Sequence, residues 1–235
     1  MTRVLVLAAH PDDAELAVGG SIARWSDSGI DVTVAFFSAS ESRPALVGRR
    51  VAAAEEAATI LGHRLQWLAD PAIRQVEQVT EFEVVELIDR TVAALNPDVV
   101  IGHWHGDSHG DHVRMARATL ASSRRWPTTA LLQFGPNEHR VLNYLTFVPN
   151  IFLPIVGHEQ RKKAALRAYS YDGQGFRELD LDGAHVRNAA LGSLCGLAAA
   201  EGLYLARCVG GSHTANALAR LLGTEPSGGE REQYI

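Results

Sequence analysis

Apolar residues run without interruption through Val4-Leu5-Val6-Leu7-Ala8-Ala9, and the stretch Arg3–Ala9 therefore predicts a strand buried on both faces. Leu16, Ile22 and Ala23 mark the inner side of a following helix, which Gly29 ends. Val32-Thr33-Val34-Ala35-Phe36-Phe37 is a second buried strand. Val47, Val51, Ala54, Ala58 and Leu61 recur at helical spacing up to Gly62, a C-terminal cap, and Arg64–Leu68 predicts a short strand. Phe82, Val85, Ile88, Val92 and Leu95 form another helical stripe, stopped by Asn96-Pro97. Asp98-Val99-Val100-Ile101-Gly102 and Thr129–Phe134 are further strands.

Strands separated by helices of this length imply right-handed crossovers and a mostly parallel sheet. The expected class is α/β, a Rossmann-like three-layer fold with a C-terminal α+β elaboration. In that elaboration Tyr144–Val148 and Ile151–Val156 predict a hairpin around Pro149-Asn150, and helices are expected at Glu159–Tyr169 and Arg187–Ala206. No repeat or linker divides the chain, so 1–222 is expected to be a single domain, and 223–235, with Pro226, Ser227, Gly228 and Gly229, a flexible tail.

Composition changes this picture little. Of the 235 residues 46% are hydrophobic and 21% charged, and the formal net charge is −5. That balance suits a globular core and supplies no basic face for nucleic acid or acidic lipid. The two cysteines, Cys195 and Cys208, make no disulfide framework. The first apolar run starts almost at Met1, is too short for a membrane span and is followed by no cleavage pattern, so a cytoplasmic location is expected.

Candidate chemistry sits where two of the strands end. Ala9-His10-Pro11-Asp12-Asp13-Ala14-Glu15 follows the first strand, and His103-Trp104-His105-Gly106-Asp107-Ser108-His109-Gly110-Asp111-His112 follows the strand at 98–102. The carboxyl ends of parallel strands share one edge, where ligands bind, so the two clusters are expected to meet. Five of the ten histidines lie in them. Imidazole and carboxylate together favour a transition metal such as zinc over magnesium or calcium, and a catalytic zinc uses three such ligands. Either cluster alone also suits a polar loop capping the next helix.

Ala-His-Pro-Asp-Asp with Gly19-Gly20 shortly after, and Asp107-Ser108-His109-Gly110-Asp111-His112, resemble the two motifs of the LmbE-like (PIG-L) zinc-dependent N-acetyl-sugar deacetylases. Weaker similarity extends through Arg50, Ile60-Leu61-Gly62, Lys162–Ser170 and Ala200-Glu201-Gly202. The resemblance implies one zinc ion per chain, held by His10, Asp13 and His112. It implies Asp12 as general base, His109 as acid or oxyanion stabiliser, and Asp111 as the residue orienting His109. Gly110 stands where the second motif usually has Pro, and this frees a backbone angle beside His109.

The expected substrate is therefore a small N-acetylated amino sugar or glycoconjugate. Arg50, Trp104 and Asp107 are candidate substrate contacts, although a helix arginine is as readily a solvated charge and a loop tryptophan a packing residue. His103 and His105 are near enough in sequence to compete as ligands, and receive at most supporting or substrate-facing roles. An amidase acting on a larger amide conjugate and a non-catalytic sugar- or nucleotide-binding module are the alternatives. The apolar run Phe147–Val156 is a candidate contact in a homo-oligomer.

Overall fold

A computed structural model describes residues 1–41, 43–136, 146–169 and 181–224. In chain order the elements are β1 (Arg3–Ala8), α1 (Asp13–Asp27), β2 (Asp31–Phe36), α2 (Pro44–Leu61), β3 (Arg64–Trp67), α3 (Glu81–Leu95), β4 (Val99–His103) and α4 (Gly110–Ser123). They continue with β5 (Ala130–Phe134), β6 (Ile151–Pro154), α5 (Glu159–Arg167), α6 (Leu181–Ser193), β7 (Ala200–Arg207) and α7 (Ser212–Leu222). The strands form one sheet in the order β3-β2-β1-β4-β5-β7-β6. The first five are parallel, and β7 runs antiparallel to both β5 and β6. This is the α/β layered class expected.

The unbroken apolar runs are explained by cover on both faces. Val4, Val6 and Ala8 of β1 point into a core with Ile22 of α1, Ala54 and Leu61 of α2, Ala165 of α5 and Leu221 of α7. Leu5, Leu7 and Ala9 point the opposite way, toward Val84 and Ile88 of α3 and Met115 of α4. Successive residues alternate between faces, as a pleated strand requires, and neither face meets water.

The C-terminal third departs from expectation. A helix expected over Arg187–Ala206 is instead α6, ending at Ser193, and the separate strand β7. The small, alanine-rich sequence leading into residue 200 has helical propensity, but β6 pairs with the first half of Ala200–Arg207 and β5 with the second, the two meeting at Leu203. The expected hairpin does not form either. Residues 144 and 145 lie outside the described residues, 146–148 form no strand, and Ile151–Pro154 pairs with β7. The apolar run proposed for subunit contact is partly internal, with Leu153 and Ile155 buried and Val148 and Val156 exposed. Of the expected tail, residues 225–235 lie outside the described residues. Among the described residues no helix is long and apolar enough to cross a membrane.

One polar knot joins this C-terminal part to α1. The Lys162 ammonium donates to Glu201 Oε1 (2.7 Å), Asn188 Oδ1 (3.1 Å) and the Leu16 carbonyl (2.8 Å). Glu201 in turn accepts from the backbone N–H groups of Gly20 (2.9 Å) and Ser21 (2.8 Å). Both charged residues are buried. Lys162→Met would leave the Glu201 carboxylate buried without its cation, at a cost of about 3–5 kcal/mol. For a chain of this size that predicts a Tm lower by about 6–20 °C. A calorimetric shift under 2 °C would show that the knot adds nothing to stability.

Candidate active site

β2 flanks β1 on one side and β4 on the other, so the direction of winding reverses between β1 and β4. In open sheets of this kind the crevice at that reversal is where ligands bind. The two histidine-rich loops occupy it. They leave the carboxyl ends of β1 and β4 and run into the N-termini of α1 and α4. A backbone-to-side-chain hydrogen bond ties the strand ends together, with Ala9 N–H donating to His103 Nε2 (2.9 Å).

Asp13 lies at the centre. Its Oδ1 is 3.3 Å from His112 Nε2, and its Oδ2 is 3.5 Å from His10 Nδ1 and 3.4 Å from His103 Nε2. The same Oδ2 accepts the His10 N–H at 2.9 Å. His109 stacks on His112 with ring centroids 4.3 Å apart, and His10 meets His109 edge-on at 5.0 Å. His10, Asp13, His103, Asp107, Asp111 and His112 are all buried, whereas His109 is exposed.

Two carboxylates from the second loop set the tautomers of two of these histidines. His112 Nδ1 donates to Asp107 Oδ2 (2.9 Å), and His10 Nε2 donates to Asp111 Oδ2 (2.9 Å). A carboxylate only accepts, so each ring places its proton there and keeps its lone pair on the other nitrogen. Those other nitrogens, His112 Nε2 and His10 Nδ1, both face Asp13. His103 is different, because its Nε2 lone pair already receives the Ala9 N–H.

These residues fit a metal ion. His112 Nε2 is buried and makes no hydrogen bond, an arrangement that is costly unless something else uses the lone pair. Tetrahedral zinc with ligand bonds of 2.0–2.1 Å holds its ligand atoms about 3.3–3.4 Å apart, which the 3.3 Å from Asp13 Oδ1 to His112 Nε2 matches, while His10 Nδ1 (3.5 Å) and His103 Nε2 (3.4 Å) approach the other Asp13 oxygen. Carboxylates hydrogen-bonded behind metal-binding imidazoles are the usual outer support of such centres. Two three-residue groupings, His10 with His109 and His112, and Asp13 with His103 and His112, bring ligand atoms within 4.8 Å of one another. His112 belongs to both.

The electrostatics agree. Burial opposes protonation of His112, but Asp13 and Asp107 outweigh it and push its pKa up to about 10, so in the ion-free protein a proton takes the His112 Nε2 lone pair that a metal ion would otherwise use. Burial also opposes ionisation of Asp13, yet the neighbouring His112 charge holds it well below the usual carboxylate range. Burial lowers His103 to about 4 and keeps it neutral. Asp12 is pushed up to about 8 by burial, with the Arg50 guanidinium pulling the other way.

The remaining expected residues occupy particular places. Asp12 is the residue before α1 and adopts a positive φ of 97°. Arg50 is buried, donating to the Pro11 carbonyl (2.9 Å), with its guanidinium 3.6 Å from Asp12 Oδ2. The Asp111 carboxylate contacts His10 and the Val76 N–H (3.0 Å); its own backbone N–H is what meets His109, at Nδ1 (3.2 Å). Asp107 also accepts the His109 N–H (3.0 Å), so it braces the second motif from within. Trp104 is 7% exposed and lies so close over Gly106 that a Cβ there would stand 2.4 Å from the indole, so its ring is packed against the loop backbone. His105 is exposed at the loop tip. The outer roles of Asp107 and Asp111 toward His112 and His10 escaped the sequence reading. The available signal was an acid five residues before His112 in a buried loop.

Residues 5–123 match the family model described as PIG-L, GlcNAc-PI de-N-acetylase. A probable N-acetyl-alpha-D-glucosaminyl L-malate deacetylase 2 of Bacillus anthracis is 24% identical over 186 residues, covering 72% of this chain and 80% of that relative. Among solved structures, N,N'-diacetylchitobiose deacetylase from Pyrococcus horikoshii superposes with a TM-score of 0.69 at 20% identity, covering 87% of this chain and 83% of the other. The 4-carboxy-2-hydroxymuconate hydratase of Pseudomonas putida KT2440 superposes at 0.73 and 18% identity, covering 90% and 99%. At these identities the superpositions establish a shared fold, and that fold carries more than one chemistry. The matched segment contains both strand-end loops and spans half of the sequence; the chain belongs to the PIG-L family.

Proposed function

We propose that this protein is a zinc-dependent hydrolase that removes the N-acetyl group from a glucosamine-type small molecule or glycoconjugate. One ion per chain would be held by His10, Asp13 and His112. The observation that carries the reading is the convergence of two carboxylate-backed imidazole lone pairs on Asp13, with Asp12 and His109 alongside. Membership of the PIG-L family and the named activity of the Bacillus relative support the acyl-amino-sugar substrate.

When bound, zinc supplies Lewis-acid activation of water and of the acyl oxygen. Asp12 is the base that accepts a proton as the water oxygen adds to the acyl carbon. His109 accepts the Asp111 N–H at Nδ1, so its own proton sits on Nε2 and is available to the oxygen on which negative charge develops. Burial and the neighbouring His112 and His10 hold the His109 pKa down, in keeping with a neutral donor. Breakage of the C–N bond with return of the proton from Asp12 to nitrogen releases free amine and acetate.

The direct test measures acetate released from a panel of N-acetylglucosamine derivatives. Release should stop with a chelator and return with added zinc. A protein carrying one zinc per chain that frees no acetate from any of them would refute the reading.

A further inference from the structure

Asp12 raises a conformational question that the chemistry leaves unanswered. Its φ of 97° lies where L side chains are strained. The surrounding structure must therefore impose it. Its backbone N–H donates to Glu15 Oε2 (3.2 Å), and the other Glu15 oxygen accepts the Tyr169 hydroxyl (2.7 Å). Glu15 is 0% exposed and Tyr169 3%.

A glutamate three residues into a helix reaching back to the N-cap is half of an ordinary capping box. This chain has an ordinary one at α3. There Thr80 sits at φ −67° and exchanges bonds with Glu83, which is exposed. At α1 the N-cap is left-handed, and the glutamate is buried and fixed from behind by a phenol 154 residues away in sequence. Burying a carboxylate beside Asp12 and Asp13 is costly. Helix capping alone, which α3 manages at the surface, does not require it.

We infer that Glu15 and Tyr169 are positioning residues that lock the Asp12 peptide in its left-handed conformation and so aim the Asp12 carboxylate at the reacting centre. The inference rests on Asp12 being the base. Tyr169 follows α5, so the relay places a C-terminal part of the chain in control of the first motif. Geometry of this kind matters because a misplacement of about 1 Å can cost about 100-fold in rate.

Three variants test it: Glu15→Met, Glu15→Gln and Tyr169→Phe. Glu15→Met and Tyr169→Phe should lower kcat about 10- to 100-fold on an N-acetylated sugar, with KM and zinc per chain unchanged. Glu15→Gln should keep kcat within about 3-fold, because its carbonyl still accepts the Asp12 N–H while its amide donates to the phenol oxygen. Loss of Tm with kcat retained in Tyr169→Phe, which keeps the ring and its packing, would overturn the inference. So would equal loss in Glu15→Gln and Glu15→Met. If the wild-type protein hydrolyses no acyl sugar, the crystal structure of Tyr169→Phe still decides, since an Asp12 φ unchanged near its wild-type value rules the relay out. A shift of that angle supports the relay even where the proposed reaction fails.

Discussion

Asp12→Asn is expected to lower kcat by about 10²- to 10⁴-fold while zinc per chain stays at one, the usual range for removing a general base. The substitution is close to isosteric, and asparagine tolerates a left-handed backbone better than most residues, so the turn before α1 should survive. What is lost is the capacity to hold a proton. The carboxylate stands beside Arg50 without being one of the proposed ligands, and burial lifts its affinity for protons well above that of a surface aspartate. Steady-state rates on the best acyl sugar, with metal analysis of the same sample, decide the matter. Full activity in Asp12→Asn would exclude the mechanism, and loss of zinc would move Asp12 into the ligand set.

The second large effect is expected from His112→Ala. This histidine belongs to both groupings able to hold an ion, and its Nε2 is a buried atom that makes no hydrogen bond. Losing an outer partner of a ligand typically weakens metal binding by about 10- to 100-fold, and losing the ligand itself should cost more than about 100-fold. After dialysis against a weak chelator the variant should retain no zinc and show no turnover. Zinc still present at one per chain would remove His112 from the centre and leave the proposed triad without support.

How much of this was legible in the sequence varies with the physics involved. Strands β1, β2, β4 and β5 announce themselves because double-sided burial leaves continuous apolar runs. The meeting of the two loops follows from parallel topology alone. β7 was not legible. Ala200–Arg207 is a strand because β5 and β6 flank it, and that cause lies in other parts of the chain. Within the site, residue types show that an ion could be held, but only the folded loop shows which acid backs which imidazole. Asp107, expected to meet substrate, braces His112, and Asp111, expected to orient His109 with its carboxylate, spends it on His10. Such pairings depend on side-chain direction at the start of α4, which spacing does not determine. The left-handed Asp12 is similar, since an Asp-Asp-Ala-Glu sequence reads as an ordinary helix start.

The order of strands across the sheet also bears on the order of events during synthesis. β6 leaves the ribosome about fifty residues before β7, yet β7 lies between it and β5. Until residue 207 has emerged, the strand that covers the β5 edge in the finished sheet is missing, and β6 lacks the strand that joins it to that sheet. Such edges recruit other chains, so this interval is when the protein is most exposed to misassembly. Both proposed ligand loops have emerged long before then. Insertion of β7 brings in Glu201 and closes its bond with Lys162, so the last strand to arrive sets the sheet and α1 into their final relation beneath a site already assembled in sequence.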